Sequence, residues 1–99
     1  MRKINLADYE FGGQTFQVRP SLVAILFNED KLDGREVIRR DELALKVEEH
    51  VEDEILLEEN EWAKFVTGLN STDLKPHGRS VVRFVKRILD APQVDVKER

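Results

Sequence analysis

Ninety-nine residues, 40% hydrophobic and 36% charged with a formal net charge of −4, predict one domain with a modest core and a heavily charged skin. The absence of cysteine excludes disulfides, thiolate metal sites and cysteine nucleophiles. The longest apolar run, Leu22 to Phe27, is far short of the roughly 20 residues needed to cross a bilayer. The opening MRKINLADYEF also lacks the apolar stretch of a secretory signal, so a cytoplasmic protein without a membrane segment is expected.

The segment Asp8 to Arg19 has two alternating stretches around Gly12-Gly13, a hairpin signal because two-residue turns of this kind need positive φ. Phe11, Phe16 and Val18 supply its aromatic and branched residues, and Ile4 and Leu6 extend the first strand. Arg19-Pro20-Ser21 ends the second strand and opens a short buried helix through Leu22, Val23, Ile25, Leu26 and Phe27, since proline is tolerated in a first helical turn. Asp33-Gly-Arg-Glu36 has the spacing of a capping box and predicts a second helix from Gly34 to about Glu49. Val37, Ile38, Leu43, Ala44, Leu45, Val47 and Val51 give that helix a broad apolar face.

Glu54 to Leu57 reads as a strand or an extended lead-in to the next helix. Trp62, Phe65, Val66 and Leu69 recur at i, i+3, i+4 and i+7, an amphipathic third helix that Gly68 and Asn70-Ser71-Thr72 close. The Asn70-Ser71-Thr72 sequon is read as a polar turn. Lys75 to Gly78 is a loop by its turn residues. A last helix runs from Arg79 to Leu89 with Val81, Val82, Val85, Ile88 and Leu89 inward, and Gln93 to Lys97 alternates like a terminal strand. The fold expected is α+β: an N-terminal hairpin and one or two further short strands packed with four helices.

Charge is distributed unevenly along this chain. Residues 41–61 carry ten acids and one lysine, whereas residues 64–87 carry six bases and one acid. A calcium loop needs oxygen ligands around a glycine turn, which the acidic stretch lacks. His50 and Glu54 stand four apart, yet Val51, Ile55, Leu56, Leu57 and Trp62 interleave the acids and imply a folded segment with its carboxylates turned outward. Glu52, Asp53, Glu58 and Glu59 are therefore candidates for an acidic interaction surface. Arg79, Arg83, Lys86 and Arg87 fall at i, i+4, i+7 and i+8, a basic helix face preceded by Lys75 and His77.

Such a stripe could contact phosphates, but an acidic chain is a poor non-specific binder of nucleic acid. If the two patches stay apart, neighbouring copies could join head to tail; if they meet within one molecule, they brace the fold. No catalytic set stands out among Ser21, Ser71, Ser80, His50 and His77, and no glycine loop of phosphate-binding spacing is present. No catalytic residue, metal site or cofactor is expected, and Trp62 reads as core.

The order of features carries a resemblance. "PSLVAILF", "DGREVIRRDELALKVEEH", "EILLEENEWAKFV" and "VVRFVKRILDAPQV", following a short aromatic hairpin, resemble small proteins of this length from tailed bacteriophages and prophages. The resemblance spans most of the chain, is clearest in Arg39 to Glu48 and in Ile55 to Trp62, and rests on pattern without a catalytic signature. It implies a bacterial host cell or a virion as the location and virion assembly as the setting. It transfers no site residues. The function expected is that of a non-enzymatic protein acting through a protein partner or self-association; the alternative is a nucleic-acid-binding or regulatory module using the basic helix.

Overall fold

The computed structural model describes residues 1–95. It has the α+β architecture, with two small antiparallel sheets and four helices. Strand β1 (Arg2–Asn5) pairs with β4 (Glu54–Leu57), bringing Ile4 opposite Ile55; β2 (Tyr9–Phe11) and β3 (Gln14–Phe16) form the hairpin. Gly12 and Gly13 have φ of 60° and 81°, which only a two-glycine turn meets without strain. The expected strand extension through Ile4 and Leu6 is corrected: β1 leaves the hairpin for β4, and both side chains lie in the core. Val18 is no strand residue either. It begins helix α1 (Val18–Leu26), whose first turn contains Pro20 and whose Val18 N–H donates to Asp8 Oδ1 at 2.9 Å.

Helix α2 (Gly34–Glu49) starts where its cap predicts, with Glu36 N–H donating to Asp33 Oδ1 at 2.8 Å. The reciprocal half of the box is not made, because the Glu36 carboxylate turns to Arg40 and Lys64 instead. The broad apolar face is corrected to a narrow one. Leu43, Ala44 and Val47 are buried, whereas Val37, Ile38 and Leu45 face outward and Val51 beyond the helix is 93% exposed. Arg19 closes the far end by donating to the carbonyls of Val47, His50 and Glu52, where a cation also suits the helix dipole.

Helix α3 (Glu59–Asn70) buries Phe65 and Leu69. Gly68 does not end it. A Cβ there would stand 2.1 Å from the Ile25 carbonyl oxygen, so this glycine permits close crossing of α1 and α3. The expected loop at Lys75–Gly78 belongs to a 3₁₀ segment, Lys75–Val81, kinked at Gly78, and α4 is correspondingly shorter, Val82–Leu89. Val81 and Ile88 point inward as expected, but Phe84 takes the central core position and Val82 and Leu89 are half-exposed. The bulky ring, tilted at 41° against Phe16 with centroids 5.4 Å apart, sets the rotation of the helix. Gln93 forms a bridge with Arg2, and Val94 N–H donates to the Met1 carbonyl at 2.7 Å. Val96 and Lys97 of the expected terminal strand lie outside the described residues.

One hydrophobic cluster joins both sheets to all four helices. Arg40 is its charged member at 4% exposure. Its guanidinium donates to Glu36 Oε1 at 3.1 Å, Glu29 Oε1 at 2.7 Å and the Leu26 carbonyl at the end of α1 at 2.9 Å. Lys64 on α3 donates to the same Glu36 oxygen at 2.5 Å, so an ionic knot with a buried guanidinium and partly exposed partners ties α1, α2 and α3.

Candidate functional site

Two of the four basic candidates are partly spent on the fold. Arg87 donates to the carbonyls of Ala7 at 2.5 Å and Asn5 at 3.3 Å, holding the turn between β1 and β2, and its guanidinium lies 5.0 Å from the centre of the Tyr9 ring. Arg83 lies 5.6 Å from the same ring. Tyr9 itself caps α4: its hydroxyl accepts from Phe84 N–H at 3.2 Å and donates to the Ser80 carbonyl at 2.5 Å. Burial holds this phenol above its ordinary 10.0, against the opposing pull of the Phe84 N–H and the Arg87 and Arg83 charges. Arg79, Arg83 and Lys86 keep exposed side chains. Among the described residues no carboxylate forms an ion pair with Lys75, Arg79, Arg83, Lys86 or Arg87.

The acidic candidates divide the same way. Glu59 accepts from Arg2 Nε at 2.8 Å and from the Gln93 amide at 3.0 Å, and its carboxyl lies below its ordinary value through the Gln93 hydrogen bond foremost, with Arg2 assisting. Glu58 lies at the head of α3, where its N–H donates to Glu61 Oε1 at 2.9 Å, and Glu61 also receives Lys46. Glu52 and Asp53 engage the fold through their carbonyls, accepting from Arg19 and from Leu6 N–H, while their side chains are exposed. His50 Nε2–H donates to the Glu54 carbonyl at 2.7 Å. No ion pair among the described residues joins the acids of 48–61 to the bases of 79–87. The two candidate patches thus share no ion pair among the described residues, although Glu54 and Arg87 line one pocket together with Lys3 and Asn5.

A different pair of surfaces emerges. Along α4, Val82, Val85, Lys86 and Leu89 follow at i, i+3, i+4 and i+7, with Val85 half-buried against the core and the other three exposed; Val82, Val85 and Lys86 line a groove of about 480 Å³ with Leu74, Lys75, Gly78 and Val81, and Leu89 lies outside that lining. Its floor is apolar, and Lys75 and Lys86 stand on its rim. On α2, Ile38, Asp41, Glu42, Leu45, Glu48 and Glu49 follow at i, i+3, i+4, i+7, i+10 and i+11, all exposed. Ile38 is 59% and Leu45 46% exposed.

Both surfaces escape the sequence reading for one reason: their apolar residues are assigned to the core. The phase of α4 could have been found from Phe84, whose volume outbids a valine for a central position. On α2 the signal is Arg40, which displaces part of the apolar stripe from the buried side.

Comparisons with known proteins leave these surfaces to be judged by their own chemistry. No protein-family model matches the chain, and neither the curated proteins nor the solved structures yield a significant match. No helix among the described residues is long and apolar enough to cross a membrane.

Proposed function

We propose that this chain is a non-enzymatic interaction protein that docks a protein partner on the α4 groove, in the setting of bacteriophage or prophage particle assembly. One observation supports the docking: an apolar groove lined by Leu74, Val81, Val82 and Val85 with two lysines, Lys75 and Lys86, that no described carboxylate neutralises. Apolar contact supplies affinity and the lysines select an acidic helix over other apolar surfaces. The assembly setting rests on the resemblance to small phage proteins, and it puts the chain in the bacterial cytoplasm or in the particle.

A photo-crosslinking residue at Val82, irradiated during particle assembly, tests the docking, with the fully open position Val51 as control. Adducts from Val82 to a particle protein or another copy are expected. Equal yields from Val82 and Val51 would end this reading. Nucleic acid is the second reading, favoured by exposed Arg79, Arg83 and Lys86. A gel-shift series across salt decides it: retardation at low salt that fades as salt rises would support it, and none at low salt removes it.

A further inference from the structure

We infer that the occupant of the α4 groove is the outward face of α2 from a second copy of this chain, so that copies join head to tail. The claim rests on the docking reading above and names its partner. The two stripes match in spacing and are opposite in charge: Ile38, Asp41, Glu42 and Leu45 on α2 follow the same i, i+3, i+4, i+7 pattern as Val82, Val85, Lys86 and Leu89 on α4. Each therefore presents apolar side chains one helical repeat apart with a charge between them.

Neither surface is satisfied within its own molecule. Among the described residues Asp41, Glu42, Glu48 and Glu49 form no ion pair, nor do Lys75 and Lys86. The acids of β4 and early α3, by contrast, are taken by Lys3, Arg2 and Lys46. Within one molecule α2 packs on α1, while α4 packs on α3 and β1. A copy thus carries both halves of the contact on separate elements. Such a contact is heterologous, and it propagates to a ring or a filament instead of closing as a symmetric dimer. Its charged portion weakens as salt screens the acids from the lysines.

Charge exchange tests this directly. In Lys75→Glu/Lys86→Glu the groove turns acidic while the α2 face stays acidic. In Asp41→Lys/Glu42→Lys/Glu48→Lys the α2 face carries three lysines and one glutamate, Glu49, and turns basic while the groove stays basic. Each full-length variant alone should need at least about tenfold higher concentration than the wild type to associate, read as molar mass by light scattering. Mixed in equal amounts they should associate again, because each groove then meets a face of opposite charge. Far-ultraviolet circular dichroism of each variant establishes that both remain folded. A mixture no heavier than its components overturns the second-copy claim. If Val82 still crosslinks to a different protein, docking on the groove survives that failure; if Val82 also behaves like Val51, both readings fall.

Discussion

The ionic knot around Arg40 and the basic rim of α4 are made from the same kinds of side chain and do opposite jobs. In the knot, Arg40 and Lys64 share the Glu36 carboxylate, Glu29 takes a second guanidinium nitrogen, and the Leu26 carbonyl takes a third contact, so the charge is consumed where α1, α2 and α3 meet. At the α4 groove the ammonium groups of Lys75, on the 3₁₀ segment, and Lys86, on α4, border an apolar floor and meet no described carboxylate. Charge counts along the sequence do not separate these cases. Burial and partner geometry do: altering the knot should cost stability, and under the docking proposed above altering the rim should cost association instead.

The sharpest way to break the contrast is Arg40→Met. It leaves Glu29 and Glu36 without their guanidinium and uncovers the Leu26 carbonyl; the two carboxylates are 19% and 22% exposed and Glu36 keeps Lys64, so the cost should fall at about 2–3 kcal/mol, below that of breaking a fully buried pair. Urea unfolding followed by circular dichroism measures it, and a loss below 1 kcal/mol would mean that the knot is ornamental. Next comes Gly68→Ala. Alanine favours a free helix over glycine by about 1 kcal/mol, yet its Cβ would meet the Ile25 carbonyl oxygen at 2.1 Å, so the same assay should show a net loss of about 1–3 kcal/mol.

The knot also predicts a pH response. The Lys64 hydrogen bond, assisted by Arg40, holds the Glu36 carboxyl below its ordinary 4.5. A depressed folded value adds stability that is present above 4.5 and lost as the pH falls from there through the lower folded value. Glu36→Gln should flatten this acid limb of the stability profile relative to the wild type. A profile unchanged by the substitution would remove Glu36 as its source. The smallest effect belongs to the rim. Lys75→Glu/Lys86→Glu should change unfolding free energy by less than about 0.5 kcal/mol per site in high salt, as exposed substitutions usually do.

Local chemistry was the legible part of the fold. Gly12-Gly13 fixes the hairpin through backbone conformation, and Asp33 places the start of α2 through one hydrogen bond, both features of a few adjacent residues. What remained hidden depends on contacts between distant elements. Nothing near Ile4 says that β1 pairs with Ile55 across the chain, and nothing beside Gly68 announces the Ile25 carbonyl that forbids a side chain there. Of the candidate site, the exposed bases of α4 were legible from their helical spacing. Arg87 is expected on that same basic face, and what the spacing does not reveal is that its guanidinium also donates to the backbone carbonyls of Asn5 and Ala7, which carry no sequence signature. Of the acidic candidates, Glu58 and Glu59 belong to the start of α3 and Glu52 and Asp53 keep exposed side chains before β4, while further exposed acids lie on α2 beside Ile38 and Leu45.

The claim that the unspent α2 and α4 surfaces exist for assembly is tested most directly by the molar mass of the wild-type chain across concentration at low and high salt. A mass that climbs with concentration at low salt and falls toward the 11.5 kDa monomer at high salt is the predicted result. A strict monomer at every concentration and salt would contradict it.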